Sequence, residues 1–372
     1  MTTLYRADTI GSLLRPAYLK EARSAWHAGT LPTPEFKRIE DRAVDEAIAL
    51  QERAGLEIVT DGEMRRIIFT GTLTEAIEGI SSVPSPSWRW HGQTPQEDMD
   101  FQAPVSVTGK IRRRRSLATE EFAYARGKTS KPLKMTLPSP LMLALFWSPE
   151  HSTAAYSDPF ALLADAVDIL RQEVRELAGL GCQYIQIDAP ELATLVDESQ
   201  RRTTYAARGV SPERMLGEGI DLLNAIADAP GITFGLHLCR GNNAGHWMSQ
   251  GGYEIISQQV FRRATKYDIF LLEYDDWRSG SFAPLVDIPR DKIVVLGLVS
   301  TKKNAIEPAD GLVARIEEAS RYFPREQLAL STQCGFASVL QGNPVTEATQ
   351  EAKLRLVVGV ARRVWAEGSS SS

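Results

Sequence analysis

Two metal-binding residue types recur at spacings that would bring them to one point. His237 and Cys239 lie two residues apart in GLHLCRGN, and Cys334 lies in STQCGF near the other end of the chain. On a strand, residues i and i+2 point to the same face, so His237 and Cys239 can reach one ion. Cys334 and Glu273, in FLLEYDD, would supply the remaining ligands of a tetrahedral site. The sequence therefore predicts a metal centre, with Asp275 as an alternative to Glu273.

A site with two cysteine thiolates is chemically soft, which favours zinc and a sulfur-containing substrate. A metal-bound thiol loses its proton, whereas a free thiol with a pKa of about 8.5 is mostly protonated at neutral pH. The expected task of the metal is therefore to hold a thiolate nucleophile. Activation of a water molecule, as in a hydrolase, is the other option, and a buried His-x-Cys pair without metal is the structural alternative.

Strand-like apolar segments alternate with amphipathic helices and would position these residues. Eight segments are strand-like, and most of them are apolar or β-branched on both faces, which is typical of parallel strands that are covered on both sides. They are residues 4–10, 57–60, 133–137, 184–187, 233–238, 268–272, 292–299 and 328–332. Eight strands, each followed by a helix, predict an α/β fold of the (β/α)8 TIM-barrel type, whose active sites lie at the C-terminal ends of the strands.

The predicted barrel is a single domain of residues 1–366. Residues 81–132 are rich in proline, serine, tryptophan and charge, which predicts an insertion after the second strand that folds over the barrel mouth. Within it, VSVTGKIRRR is expected to be one strand of a hairpin, and Trp88 and Trp90 could form a lid or a small core. Residues 367–372 are expected to form a disordered tail.

Composition excludes several other classes of protein. The net charge of −5 argues against a nucleic-acid-binding face, which would need a basic surface. No apolar stretch has the length of a membrane span, and the N-terminus lacks a signal-peptide core, so we expect a cytoplasmic protein without a membrane partner. Three cysteines in a chain of 372 residues are not a disulfide framework, and Cys182 is expected in the core. Formation of a homo-oligomer is left open.

Six segments resemble, in the same order, motifs of the cobalamin-independent methionine synthase family. They are IGSLLRP, TDGE, YIQIDAPEL, LHLCRGN, the glutamate of FLLEYD, and QCGF. The resemblance covers essentially the whole chain, but it matches only the C-terminal catalytic barrel of the full-length synthase. It implies a methyltransferase that uses Zn²⁺ and a thiolate nucleophile to convert homocysteine to methionine.

The resemblance also implies roles for individual residues. The implied zinc ligands are His237, Cys239, Glu273 and Cys334. Glu63 and Asp188 would contact the amino group of homocysteine, and Ser12 would lie near its carboxylate. An amino-acid ammonium group suits two carboxylates in a low-dielectric pocket, because the carboxylates repel each other unless a cation lies between them.

The chain departs from the family pattern after the seventh predicted strand. The family has a histidine there as a general acid, and here Lys302 or Lys303 falls near that place, with Lys302 the preferred candidate. His246, in a segment typical of short stand-alone relatives, could be an acid or a ligand, or could have a structural role. Trp147 could form a wall of the substrate pocket or belong to the core.

The short relatives keep two other functions open. They include methyltransferases that take methylcobalamin or other donors in place of methyltetrahydrofolate, and epoxyalkane:coenzyme M transferases, which open an epoxide with a thiolate. Thiol–epoxide transfer, or the reverse carbon–sulfur cleavage, is therefore the alternative enzymatic hypothesis. A non-catalytic zinc- or methionine-binding barrel is the third.

Overall fold

Seven strands pair in parallel to form the main sheet of the structure, a computed structural model that describes residues 2–365. Their order across the sheet is β1-β11-β10-β9-β8-β7-β6. All strands of the chain are β1 (Ala7–Asp8), β2 (Ile77–Ser81), β3 (Trp88–Trp90), β4 (Met99–Phe101), β5 (Ser106–Arg113), β6 (Lys134–Pro138), β7 (Tyr184–Asp188), β8 (Thr233–Leu238), β9 (Ile269–Glu273), β10 (Ile293–Val299) and β11 (Leu328–Thr332). Seven of the eight predicted strands thus lie in the sheet, although β1 is shorter than predicted.

The second predicted strand, residues 57–60, is reduced to a single parallel bridge between Val59 and Leu133. The chain turns immediately afterwards, because Gly62 and Glu63 have φ angles of 69° and 53°. The segment nevertheless lies between the two edges of the sheet. Val59 N–H donates to Pro132 O on the side of β6, and Leu13 N–H, beyond β1, donates to Gly62 O.

A small cluster of apolar side chains shows that the sheet curls. Ile10, Ile58, Tyr184, Ile269 and Ile293 pack together, although Ile10 follows the edge strand β1, Tyr184 lies in β7 near the opposite edge, and Ile269 and Ile293 lie in strands between them. A flat sheet could not bring these positions into one cluster. The fold is therefore a mixed α/β architecture with a curled parallel sheet, consistent with a TIM-like barrel.

Helices follow the strands and cover the outside of the sheet. They are α1 (Ala17–His27), α2 (Thr33–Ala54), α3 (Gly71–Thr74), α4 (Thr119–Ala125), α5 (Pro159–Gly179), α6 (Pro190–Thr194), α7 (Glu198–Gln200), α8 (Pro212–Arg214), α9 (Ile220–Ile226), α10 (Ser257–Arg263), α11 (Ala309–Ala319) and α12 (Glu347–Trp365). α5 begins with Asp158, whose carboxylate accepts a hydrogen bond from Phe160 N–H, followed by proline at the first helical position. No helix within residues 2–365 is long and apolar enough to cross a membrane.

Two antiparallel strand pairs occupy the segment between residues 77 and 113. β2 pairs with β5, which contains most of VSVTGKIRRR, and β3 pairs with β4. A bridge between His91 and Trp247 joins this segment to the loop that follows β8. The segment therefore lies at the C-terminal ends of the parallel strands.

The expected tail, residues 367–372, is outside the described residues.

Candidate metal and substrate site

His237, Cys239 and Cys334 come together where β8 and β11 end. His237 lies in β8, Cys239 follows its last residue, and Cys334 lies two residues after β11. Their ligand atoms all lie within 4.8 Å of one another, and all three residues are buried. The convergence predicted for these three residues is thus present in the structure.

The spacing of the two sulfur atoms fits a tetrahedral zinc ion. Cys239 Sγ and Cys334 Sγ are 3.8 Å apart. Two zinc–sulfur bonds of about 2.3 Å at a tetrahedral angle would place the sulfurs about 3.8 Å apart. His237 Nε2, on the same cluster, is buried without a hydrogen-bond partner within the described residues. The three side chains therefore have the chemistry and the geometry to hold zinc.

Asp188 orients the histidine of this cluster. Its Oδ1 lies 2.7 Å from His237 Nδ1 and also accepts a hydrogen bond from Gln186 Nε2. The contact arises because Asp188 and His237 are register partners in the pairing of β7 and β8. Burial lowers the pKa of His237, but the hydrogen bond and the negative charge of Asp188 outweigh it and raise the net value. A carboxylate on Nδ1 leaves Nε2 directed at a metal, an arrangement that is frequent around zinc-binding histidines.

Glu273 lies at the end of β9, close to the cysteines but outside the group of three. Its Oε2 accepts a hydrogen bond from Arg240 N–H at 2.6 Å, and its Oε1 has no hydrogen-bond partner within residues 2–365. Burial alone would raise the pKa of Glu273, but the cations of Lys302, Arg278 and Arg240 lower it to about 2. The carboxylate is therefore charged, and Oε1 is the atom available to a metal. Its role as fourth ligand stays a prediction.

Asp275, two residues beyond the end of β9, lies near the same cations. Its Oδ1 lies 3.7 Å from Arg278, and both of its oxygens lack a hydrogen-bond partner among the described residues. Burial raises the pKa of Asp275 to about 6, and the negative charge of Glu273 adds to the rise against the cations. Glu273 is consequently the better metal ligand of the two, because it remains ionised more readily.

Lys302 is buried beside Glu273, whereas Lys303 is exposed. Lys302 Nζ lies 3.5 Å from Glu273 Oε1 and has no closer hydrogen-bond partner in the described part of the chain. Glu307, a possible partner for these lysines, pairs instead with Lys353 at 2.8 Å. Neither Lys302 nor Glu273 is among the residues that line the cavity described below, so the charge of Lys302 acts on the Glu273 carboxylate outside that lining.

Glu63 and Ser12 line a cavity that His237, Cys239 and Cys334 also line. Glu63 Oε1 accepts a hydrogen bond from Thr136 Oγ1 at 2.8 Å and lies 3.7 Å from Arg66, while Oε2 has no partner within the described residues. Burial raises the pKa of Glu63, and the negative charge of Asp188 adds to the rise against Arg66. Ser12 lies against Gly335, where any side chain would collide with its hydroxyl group.

The cavity has a volume of about 730 Å³ and two chemically different ends. The polar end is formed by Ser12, Glu63, Asp188, His237, Cys239 and Cys334. The apolar part is formed by Phe69, Trp88, Trp90, Met99, Phe101, Met142, Phe146 and Met248. The space is larger than an amino acid needs, which leaves room for a second substrate.

Two predicted residues lie outside this cavity. Trp147 is buried, and its indole N–H donates to Tyr156 O at 3.2 Å, so it packs in the core. His246 Nδ1 lies 3.1 Å from Asn243 O within a tight turn, and neither position lines the cavity. The aromatic wall comes from Trp88 and Trp90 instead. Their alternation on β3 turns both rings to one buried face, a signal that the sequence WRW contains.

The curled sheet and the buried His/Cys/Cys group define a TIM-like α/β protein with a group that could hold a metal at the C-terminal ends of its strands. Residues 5–363 match the family model described as "Cobalamin-independent synthase, Catalytic domain". The chain belongs to this family of methyltransferases, the cobalamin-independent methionine synthases, and the resemblance found in the sequence is confirmed.

Individual relatives agree with the family. The chain is 34% identical over 367 residues to the uncharacterised protein YxjH of Bacillus subtilis. The aligned region covers 97% of this chain and 95% of that protein. It is 29% identical to a 5-methyltetrahydropteroyltriglutamate–homocysteine methyltransferase of Mycobacterium bovis, over 96% of this chain but only 42% of that enzyme. A crystal structure of a putative vitamin-B12-independent methionine synthase from Listeria monocytogenes has a TM-score of 0.73 and 27% identity, covering 98% of this chain and 99% of that one.

Proposed function

We propose that the protein transfers a methyl group to the thiol of homocysteine, giving methionine, on a zinc ion held by His237, Cys239 and Cys334. The observation that carries the proposal is that these three ligands open onto a cavity whose same end contains Glu63 and Asp188. The donor and acceptor named for the M. bovis relative support it.

We further propose that residues 57–60 close the sheet as the eighth strand of a (β/α)8 barrel.

Zinc, when bound, would hold the acceptor sulfur as a thiolate at neutral pH. The protein's own groups prepare the site for that role. Asp188 fixes the proton of His237 on Nδ1, so that Nε2 is free to bind metal. Glu273 would complete the ligand set through Oε1, and the charge of Lys302 keeps that carboxylate ionised and supports negative charge in the transition state.

The acceptor would be recognised chiefly by Glu63. Its Oε2 faces the cavity without a partner in the described residues, whereas Oδ1 of Asp188 is already occupied by His237 and Gln186. An ammonium group would satisfy Glu63 Oε2 and reduce its repulsion with Asp188. Ser12, at the same end, would contact the carboxylate of the amino acid.

The cavity disfavours coenzyme M as the acceptor. Its described lining contains carboxylates but no lysine or arginine, and a sulfonate would need such a cation. Thiol–epoxide transfer of the coenzyme M type therefore has less support than methyl transfer. The donor that fits the second, aromatic part of the cavity is a flat heterocycle such as that of methyltetrahydropteroyltriglutamate; methylcobalamin is the alternative.

Selectivity for the ammonium group tests the acceptor assignment. Calorimetry with zinc-loaded protein should show tighter binding of homocysteine than of 4-mercaptobutanoate, which lacks only the amino group. Glu63→Gln should reduce this difference by about 1–3 kcal/mol, because a buried polar contact loses its partner. Glu78→Gln, an exposed change of the same kind, is the control and should preserve the difference. Equal binding of the two thiols, or tighter binding of coenzyme M, would contradict the assignment.

A further inference from the structure

A further buried glutamate lines the cavity and has no part in the roles described above. Glu191 lies in the first turn of α6, shortly after Asp188, and lines the same cavity. It is buried, and neither of its carboxyl oxygens makes a hydrogen bond of regular geometry within residues 2–365, although the Ser139 hydroxyl lies close enough to act on the carboxyl group. Leaving a buried polar group unpaired is unfavourable, so such a group at a cavity wall is best explained by contact with a bound molecule.

The surroundings of Glu191 keep it uncharged. Burial raises the pKa of Glu191 to about 8; the Ser139 hydroxyl and the Glu191 amide oppose this rise, and the negative charge of Asp188 adds to it. The other titratable groups near it are the phenols of Tyr205 and Tyr267, whose own pKa values are raised by burial. No ion pair to Glu191 occurs in the described part of the chain. Glu191 is therefore a carboxylic acid at neutral pH and can donate a proton.

Glu191 has neighbours both at the proposed metal site and elsewhere in the cavity lining. Asp188, three residues earlier in the chain, contacts the metal-binding histidine. On the other side, the Tyr205 hydroxyl donates to Glu191 O at 3.3 Å, and Tyr205 also lines the cavity. Glu191 thus lines the cavity that a methyl donor would share with the acceptor sulfur.

We propose that Glu191 is the general acid that protonates the nitrogen atom from which the methyl group leaves. This inference rests on the methyl-transfer function proposed above. As the sulfur–carbon bond forms, the nitrogen–carbon bond breaks and its electron pair stays on nitrogen. That nitrogen takes the carboxyl proton of Glu191, and the resulting carboxylate recovers a proton from water. Lys302 does not line the cavity, and its charge would support the metal site instead.

The test compares two methyl donors with different leaving groups. Methyltetrahydropteroyltriglutamate leaves a basic nitrogen that needs a proton, whereas methyl iodide leaves iodide, which needs none. In Glu191→Gln, the ratio of the rate with the folate to the rate with methyl iodide should fall by about 10²–10⁴-fold, the usual contribution of a general acid. The fall should appear in kcat rather than in the KM for the folate. Glu198→Gln, a change at an exposed glutamate, should leave the ratio as it is.

The pH profile gives a second readout. An acid must be protonated to act, so kcat of the wild type with the folate should fall as the pH rises through about 8, and Glu191→Gln should lack this limb. Infrared difference spectra across the same pH range should show a protonated carboxyl band in the wild type that is absent from Glu191→Gln.

Each contrary result has a distinct meaning. An unchanged ratio in Glu191→Gln, or an equal loss with both donors, would overturn the role of Glu191 while leaving methyl transfer intact. A wild type that uses methyl iodide but not the folate would overturn both the donor class and this role. A wild type that methylates homocysteine with neither donor would instead overturn the proposed function.

Discussion

Cys239 and Cys334 titrate differently, although their sulfur atoms are neighbours. The Cys239 thiol lowers the pKa of Cys334 to about 7 against the effect of burial, with help from His237 and Lys302. The pKa of Cys239 is raised well above its usual value by its contact with Cys334 and by burial. Without metal, the pair therefore favours one thiolate and one thiol. A divalent cation would stabilise both thiolates, which makes the metal-free site a poor resting state.

The chemistry of the two cysteines predicts how much zinc the protein contains. Protein purified without added metal should contain close to one zinc per chain. Cys239→Ser and Cys334→Ser should each lose most of it, because a hydroxyl group is a poorer zinc ligand than a thiolate. Elemental analysis measures this directly. Cys182→Ser is the matched control, because Cys182 is buried at the start of β7 and outside the group of three, and it should keep its zinc. Full zinc content in both ligand variants would place the metal elsewhere.

Single residues also show where sequence reasoning reached its limit. The types and spacing of His237, Cys239 and Cys334 suffice to predict their convergence, because strand alternation and barrel geometry act locally. The contact of Asp188 with His237 depends on the lateral register of two strands, which one sequence does not reveal. The sequence does not single out Glu191, because a carboxylate in the first turn of a helix resembles a solvated residue until its burial is known.

At the scale of elements, the strand pair β3–β4 forms a wall of the substrate cavity. The strand WRW buries Trp88 and Trp90 and exposes Arg89. Trp90 also packs against Gly241, just after the metal ligand Cys239: a Cβ added at Gly241 would lie 2.9 Å from the indole ring. The pair therefore joins the segment before β6 to the loop after β8, and it contributes aromatic surface to the cavity lining.

Removing one aromatic ring from this wall should affect the donor more than the acceptor. Trp90→Leu should raise the KM for methyltetrahydropteroyltriglutamate by about 3- to 10-fold, the scale of a lost aromatic contact, with little change in homocysteine affinity. Steady-state kinetics and calorimetry give the two quantities. Trp277→Leu is the same change at a residue that is 75% exposed, and both values should stay constant there. Parallel losses of donor and acceptor binding in Trp90→Leu would mean that the ring only supports the fold.

Elements differ in how far the sequence predicts them. β6 to β11 were predictable because most of their residues are apolar or β-branched and each strand is paired on the sheet through several residues. Residues 57–60 have the same composition but form one bridge, because the positive φ angles at Gly62 and Glu63 end the extended segment at once. The sequence could not decide whether Trp147 or the tryptophans of β3 line the pocket. That choice depends on how a long insertion packs on the sheet, which local sequence patterns do not specify.

At the scale of the whole molecule, the metal site links distant parts of the chain. The ligands follow β8 and β11, and β9 and β10 lie between these strands in the sheet. β7 is connected to the site through the contact of Asp188 with His237, and β9 is connected through Glu273 at its end. One ion would thus connect most strands of the curled sheet at their C-terminal ends, so metal binding and stability should be coupled.

Zinc removal should therefore destabilise the protein as a whole. An ion that binds the folded chain and not the unfolded one adds RT ln(1 + [Zn]/Kd) to the free energy of unfolding, about 4 kcal/mol when free zinc is 1,000 times Kd. The urea midpoint of the zinc-loaded wild type should consequently exceed that of chelator-treated protein. The double variant Cys239→Ser/Cys334→Ser should show one midpoint with or without zinc, because its thiolate ligands are gone. If zinc raises the midpoint of that variant as much as that of the wild type, the stabilising ion binds at another place. If zinc changes neither midpoint, the three side chains do not form the linking site that their positions on β8 and β11 predict.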